Sequence, residues 1–256
     1  DSEAVVLLTQ AHYEKAYLDA VSNLSGLKAI LVSGAEMQRS GGEMDKKNAE
    51  MQKNGAAKPQ GRTPLISFET VLAEGEPLEE PVFLIPNDLA AFIYTSGSTG
   101  FPKGVMQTNL SMVFAVFSIS EYLRLTPEER IILVLPLAFD YGLYQLLMTV
   151  SLGATLVVEK SFTYPGQVYK RIEEEKVTVF PGVPTIFAGL ISSHKKNKLS
   201  FPSVGKITNT AAAIPEEFMD SLKEIFPQAL IFKMYGLTEC KRVAYLEPEL
   251  VDAKPG

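Results

Sequence analysis

Apolar and polar positions along the chain follow a repeating strand–helix rhythm. Residues 5–8 form a short apolar run. Apolar residues then fall at helical spacing over 11–21 (Tyr13, Ala16, Tyr17, Ala20, Val21), and a second run occupies 28–32. This pattern predicts strand, helix, strand at the start of a parallel α/β arrangement. It lapses over residues 36–62, which are rich in Lys, Glu, Asn, Gln and Gly and have little to bury. A structureless stretch of that length is uncommon inside a compact domain, so a flexible surface insertion is expected there. A solvated helix across 43–52 is the competing reading. Helical spacing returns at 68–73, and a Glu/Pro-rich linker follows over 74–86.

From residue 89 the rhythm is regular. The run Leu89-Ala90-Ala91-Phe92-Ile93 predicts a buried strand, and 104–107 resumes an extended path. Asn109 is expected to cap a helix running to about Tyr122, its side chain accepting from a free N–H of the first turn. A turn follows at 126–129, then a strand at 131–135 buried on both faces. Helices are predicted at 140–150 (opened by Asp140 or Tyr141), 165–175, 184–192 and 215–226. Pro165 sits near its helix start, where a missing N–H costs little. Strands are predicted at 154–158, 177–180, 206–208 and 229–232, the last clear one. No internal repeat is visible. Strands that alternate with helices predict an α/β fold, mostly parallel sheets covered by helices in α-β-α layers. Ligands in such folds sit beyond the carboxyl ends of the strands.

Composition narrows the classes without choosing among them. The 256 residues are 46% hydrophobic and 21% charged, an ordinary globular balance that suits one large domain or two small ones. A net charge of −6 leaves no broad basic face for nucleic acid. No apolar run reaches the roughly 18 residues of a membrane span. Cys240 is the single cysteine, so neither an internal disulfide nor a cysteine-based zinc cluster can form, and a reduced, cytoplasmic setting is expected. His12 and His194 have no neighbouring ligand set and read as surface or structural residues. No charged-then-apolar leader opens the chain, so no secretory signal is expected. The start at Asp1 without methionine and the linker-like end Lys254-Pro255-Gly256 give the expectation of a piece of something longer.

The chemistry gathers in one stretch, Tyr94-Thr95-Ser96-Gly97-Ser98-Thr99-Gly100-Phe101-Pro102-Lys103-Gly104. Glycines let backbone N–H groups converge on one point and form a nest for an anion. Ser and Thr hydroxyls add donors, and Lys103 adds a mobile positive charge. A polyphosphate is the natural guest. The common nucleoside-triphosphate loop is excluded, because Gly104 follows the lysine where Ser or Thr is required. A hydrophilic turn between strands is the plain alternative. The ordered run closely resembles the phosphate loop of the adenylate-forming superfamily, which includes acyl-CoA synthetases, luciferases and peptide-synthetase adenylation domains.

Two further segments carry the same resemblance in the family's order. Tyr235-Gly236-Leu237-Thr238-Glu239 follows the strand at 229–232, and Asn209-Thr210-Ala211-Ala212-Ala213-Ile214-Pro215 follows the strand at 206–208. The resemblance implies that Thr95, Ser96, Ser98, Thr99 and Lys103 hold the β- and γ-phosphates of ATP, with Gly97 and Gly100 letting the backbone close. It implies that Ala211, Ala212 and Ala213 wall the adenine, that Tyr235 stacks on it beside Gly236, that Thr238 bonds the α-phosphate, and that Glu239 binds Mg²⁺. The residue types suit these roles: an aromatic face for a base, a hydroxyl for a phosphate oxygen, a hard carboxylate for Mg²⁺.

For the acid, the resemblance implies a gate at Phe139, Asp140 and Tyr141 and a second wall at Gly182 and Val183. Asp140 has two readings: pairing with a substrate's α-amino group, as in peptide-synthetase adenylation domains, or capping the helix that follows, which is the preferred one. The implied whole enzyme is an AMP-forming acyl-CoA synthetase, with ATP, Mg²⁺ and coenzyme A, a small carboxylic acid as partner, and fatty-acid metabolism as its setting. An amino-acid adenylation domain loading an acyl-carrier protein and a non-catalytic nucleotide-binding module are the alternatives. The later ribose-binding Asp, the hinge and the small C-terminal domain with its lysine are not in the chain. The expectation is therefore a single partial large domain across 1–256, poorly active alone.

Overall fold

The computed structural model describes residues 3–13, 26–34, 65–77, 79–96 and 100–253. The chain divides into two compact units, Asp1–Phe83 and Leu84–Gly256. In the first, β1 (Val6–Gln10), β2 (Ala29–Ser33) and β3 (Leu65–Ser67) form a parallel sheet in that order. Leu27, Ile30 and Val32 bury beneath it, with Leu7 alongside. Helix α1 (Phe68–Glu74) starts where the Ser67 hydroxyl accepts from the Thr70 N–H at 3.3 Å. Of the helix expected at 11–21, the described part is a 3₁₀ turn at Ala11–Tyr13; the rest, like the stretch 36–62, lies outside the described residues.

The second unit is organised by a six-stranded sheet. Its order is β11-β10-β9-β8-β6-β7, with β6 Arg130–Leu133, β7 Thr155–Val158, β8 Val179–Gly182, β9 Lys206–Asn209, β10 Leu230–Tyr235 and β11 Ala244–Leu246. All pairs are parallel except β10–β11. Side chains alternate across a strand, and here both faces are apolar. Ile132, Phe180, Ile207 and Ile231 enter one core, with Val168 and Ile172 of α4 (Pro165–Glu174), Phe187 and Leu190 of α5 (Pro184–Asn197), and Leu222 and Ile225 of α6 (Met219–Ile225). Ile131, Val179, Phe232 and Met234 enter the other, with Val116 and Ile119 of α2 (Asn109–Tyr122) and Tyr144 and Met148 of α3 (Asp140–Leu152). This is the expected α-β-α layering.

The amino end of the sheet is pinned by polar contacts. Glu129, only 6% exposed, pairs with the Lys206 ammonium and accepts from the Thr178 hydroxyl. A buried carboxylate needs such partners, since leaving one unpaired costs several kcal/mol.

Several local expectations are corrected. The run at 89–93 is not a buried strand. It belongs to β4 (Leu89–Thr95), which pairs antiparallel with β5 (Lys103–Thr108) in a two-stranded ribbon, and Ile93 is its one buried residue. Asn109 does not cap α2. Thr108 does, because its hydroxyl accepts from the Ser111 N–H at 3.2 Å while the Ser111 hydroxyl accepts from the Thr108 N–H at 3.0 Å. The Asn109 amide instead donates to the Ile85 carbonyl at 3.2 Å. Asp140 does not cap α3 either: Phe139 holds that position, no side chain bonds the first turn, and Asp140 is the first helical residue. There its charge still suits the positive end of the helix dipole. The short strands β3 and β11 were not expected.

Phe180 is fully buried, with its ring centroid 5.6 Å from Phe226 and 6.3 Å from Phe187. Phe180→Ala is expected to cost about 3–5 kcal/mol, read as a lower denaturant midpoint at unchanged slope.

Candidate active site

The carboxyl edge of the six-stranded sheet receives the exits of β6, β8, β9 and β10. Between β6 and β8 the strand order reverses, the point where open α/β sheets leave a crevice. Residues 136–141 leave β6 there, and Gly182 with Val183 leave β8. Gly182 pairs with Asn209 of β9, whose side-chain amide donates to the Gly182 carbonyl at 3.3 Å. Lys233 of β10 pairs with Asn209. Tyr235 and Ala211 each lie two residues beyond that pair, so the two segments expected to hold a base emerge side by side.

Ala211, Ala212 and Ala213 are exposed, and Tyr235 is 60% exposed. Ala211 holds φ at +73°, in the left-handed region a Cβ disfavours. Small side chains beside an open aromatic face make a surface on which a flat ring can lie.

The turn after Tyr235 is tightly wound. The Cys240 and Lys241 N–H groups donate to the Leu237 carbonyl at 3.2 and 2.7 Å, and the Val243 N–H donates to the Tyr235 carbonyl at 2.9 Å. Gly236 lies so near the return that a Cβ on it would stand 1.8 Å from the Lys241 carbonyl oxygen. Thr238 is half-buried and Glu239 exposed at the outside of this turn.

The phosphate-loop residues sit on the ribbon. Thr95, the last residue of β4, pairs directly with Lys103, the first of β5, so this pair closes the loop. Ser96, Gly100 and Lys103 are exposed, and Gly100 holds φ at +86°. Gly97, Ser98 and Thr99 lie outside the described residues. The base of the ribbon meets the Thr-Glu turn where the buried Gln107 side chain donates to the Thr238 carbonyl at 3.4 Å. Lys103 is four residues further along β5, about 13 Å at strand rise.

A cavity of about 320 Å³ lies between α2 and the returning segment 239–245. Phe114, Ala115, Ile119 and Tyr122 form its apolar side, and Glu239, Lys241 and Arg242 its charged side. None of Phe139, Asp140, Tyr141, Gly182 and Val183 lines it. Tyr141 is buried, and its hydroxyl donates to the Thr208 carbonyl at 2.7 Å; desolvation pushes its pKa well above the ordinary phenol value, with the Thr208 hydroxyl pulling weakly the other way, so the group stays a protonated donor. Gly182 is buried too, and Phe139 is 66% exposed.

Residues that sequence reasoning gave no role stand closest to the motif. Lys241 is 4% exposed, and its ammonium donates to the Thr238 carbonyl at 3.0 Å over the Tyr144 ring at 5.4 Å. Burial pushes its pKa down, and the nearby Asp140 carboxylate pushes it back up. The Arg242 guanidinium lies 5.1 Å from the Tyr141 ring centroid. Gln107, Lys241 and Arg242 flank two motifs, and no role was expected of them there.

A profile described as AMP-binding enzyme matches residues 1–256. The chain belongs to the AMP-binding enzyme family. This AMP-binding chain is 32% identical over 181 residues to 4-coumarate–CoA ligase 3 of Arabidopsis thaliana, which covers 68% of the chain and 32% of that relative. It is 34% identical over 176 residues to 4-coumarate–CoA ligase of Pinus taeda, covering 66% and 33%. The chain therefore spans about a third of the length of the curated relatives it matches. Its fold is shared with VinN (25% identity, TM-score 0.69, 98% of this chain and 66% of that one). It is also shared with a putative long-chain-fatty-acid CoA ligase from Rhodopseudomonas palustris (20% identity, TM-score 0.75, 99% and 55%). Both of these curated relatives are 4-coumarate–CoA ligases. Among the described residues, no helix is long and apolar enough to cross a membrane.

Gly236→Ala is expected to displace the Thr-Glu turn, because a Cβ cannot share space with the Lys241 carbonyl. Calorimetric titration of the full-length protein with Mg-ATP is expected to show binding weakened at least tenfold, with the core transition in thermal unfolding still present.

Proposed function

We propose that the chain is the nucleotide-binding part of an AMP-forming ligase that activates a carboxylic acid with ATP and transfers the acyl group to coenzyme A. The observation that carries this reading is the hydrogen bond from Gln107 to the Thr238 carbonyl, which joins the phosphate-loop ribbon to the Thr-Glu turn at the carboxyl edge of the sheet. Family membership and the CoA-ligase relatives support the same class of reaction.

In this reading Thr95, Ser96, Ser98, Thr99, Lys103 and the backbone at Gly97 and Gly100 grip the β- and γ-phosphates. Tyr235 takes one face of the adenine, with Gly236 leaving room beside it and Ala211, Ala212 and Ala213 at the wall. Thr238 donates to the α-phosphate, and Glu239 is the protein ligand of Mg²⁺. Among the described residues no group of three or more His, Cys, Asp or Glu side chains could hold a metal. One exposed carboxylate fits Mg²⁺ all the same, because that ion takes one or two carboxylates and completes its shell with phosphate and water. When bound, Mg²⁺ supplies charge neutralisation on the phosphates.

The first step forms a bond from the carboxylate oxygen to the α-phosphorus and breaks the bond to the bridging oxygen, which leaves with pyrophosphate. Two anions meet, so preset donors and positive charge around the α-phosphate lower the barrier. In the second step the CoA thiol sulfur bonds the acyl carbon and loses its proton to solvent, the bond from that carbon to the AMP phosphate oxygen breaks, and AMP leaves. Phe139, Asp140, Tyr141, Gly182 and Val183 frame the crevice from the β6 and β8 side, Tyr141 through its position rather than its committed hydroxyl. The cavity beside α2 has the size and apolar lining to receive the body of the acid. A reduced, cytoplasmic setting goes with these substrates.

A second reading, activation of an amino acid, draws on the structure of VinN with L-aspartate at 25% identity. It would use Asp140 to pair the amino group. The CoA-ligase relatives at 32% and 34% identity favour the first reading.

The test is pyrophosphate release by the full-length enzyme across carboxylic and amino acids. Glu239→Gln is expected to lower kcat by about 100-fold, as loss of a charge-stabilising group at the reacting phosphate does. Asp140→Asn is expected to leave the ranking of acids unchanged. A preference for amino acids that Asp140→Asn abolishes would replace the first reading with the second. Ser118→Phe, which fills the cavity, is expected to lower kcat/KM for bulky acids about tenfold or more and spare small ones.

A further inference from the structure

We propose that Lys241 and Gln107 are positioning residues that fix the Thr238–Glu239 peptide from two sides. The inference rests on the reading of Glu239 as the Mg²⁺ ligand and goes beyond it.

The Thr238 carbonyl oxygen is the shared acceptor. It takes a hydrogen bond from the Lys241 ammonium at 3.0 Å and one from the Gln107 amide at 3.4 Å. That oxygen and the Glu239 N–H belong to one planar peptide unit. Holding the oxygen therefore sets the direction of the Glu239 N–H and the place of its Cα, and with it where the carboxylate can reach. The turn's backbone bonds run to the Leu237 and Tyr235 carbonyls, so among the described residues the Thr238 carbonyl is held by these two side chains.

Each donor is itself held. Lys241 is buried over the Tyr144 ring, at a residue with φ of +61°. Its carbonyl accepts from the Arg242 guanidinium at 2.8 Å and closes against Gly236. Gln107 is buried, and its carbonyl oxygen accepts from the Ser111 hydroxyl at 3.2 Å. Ser111 also completes the capping box of α2 with Thr108. The two donors thus come from separately anchored elements: the ribbon and α2 on one side, the return loop packed on α3 on the other. A charged donor to a carbonyl in a poorly hydrated place contributes more than a neutral one, so Lys241 is the stronger holder and Gln107 the tie to the phosphate loop.

The experiment uses the full-length enzyme, with Mg²⁺ affinity read by calorimetric titration in the presence of a non-hydrolysable ATP analogue, beside pyrophosphate release measured against Mg²⁺ concentration. Lys241→Met keeps the stem over Tyr144 and removes the donor. It is expected to raise the Mg²⁺ half-saturation or lower kcat about 10–100-fold, the cost of losing a group that orients a metal ligand. Lys241→Arg is expected to recover most of that loss. Gln107→Leu is expected to give a smaller change in the same parameters, about 3–10-fold, and the double variant less than the product of the two, since both act on one oxygen.

Lys241→Met within twofold of the parent in both parameters would overturn the proposal, as would Lys241→Arg as impaired as Lys241→Met, which would assign the defect to packing. Should Lys241→Met fail to fold, Gln107→Leu decides alone, and unchanged Mg²⁺ dependence there overturns the proposal. Glu239→Gln separates the two levels. Full activity in that variant sinks the proposed function itself, whereas lost activity in Glu239→Gln beside an intact Lys241→Met sinks only the positioning role.

Discussion

Burial of both faces of one parallel sheet is the constraint on which the rest of the second unit depends. Neighbouring residues on a single strand go to different cores: Ile131 and Ile132, Val179 and Phe180, Ile231 and Phe232. Helices must then cover each face, and every connection between the parallel strands must cross from one end of the sheet to the other. The loops leaving β6, β8, β9 and β10 consequently open on the same edge. Bringing Tyr235 beside Ala211 is a by-product of that packing and the strand register, needing no dedicated interaction between them.

What the sheet delivers only coarsely, the turn after Tyr235 refines. Its backbone bonds to Leu237 and its contact between Gly236 and Lys241 leave little room for alternative paths. The ribbon of β4 and β5 is held differently. Two strands alone make a marginal structure in water, and its anchorage lies at the base, where Asn109 bonds to the Asp88 and Ile85 carbonyls and Gln107 reaches Thr238.

The layered α/β plan was legible because periodicity reports burial, and long alternating segments leave few other ways to bury it. Strands β6 and β9 and helices α2 and α4 came within a residue or two of their expected ends. The run at 89–93 misled for the same reason: its apolar residues are those of a buried strand, yet among the described residues it pairs with β5 alone. Caps were misassigned by one residue at Asn109 and Asp140, since Thr108 and Phe139 are no less compatible with the local pattern and the choice is made by backbone geometry. The motif segments were legible from residue type and order. Lys241 and Gln107 were not, because a lysine over a tyrosine ring and a glutamine aimed at a distant carbonyl leave no periodic trace, and 131 residues separate Gln107 from its acceptor.

The one antiparallel strand of the large sheet has a consequence for how the molecule tolerates change. After Glu239 the chain reverses and runs as β11 against β10, with Arg124 clamping Glu247 and Glu249 beyond it. The same few residues therefore shield an otherwise open row of backbone donors and acceptors from stray pairing and supply one wall of the space beside α2. Selection on the shape of that wall is coupled to protection against self-association. Change in the wall is then confined to the side chains of Val243 and Ala244, since Tyr245 stacks on the Tyr122 ring at 4.3 Å and donates to Glu247 at 2.7 Å.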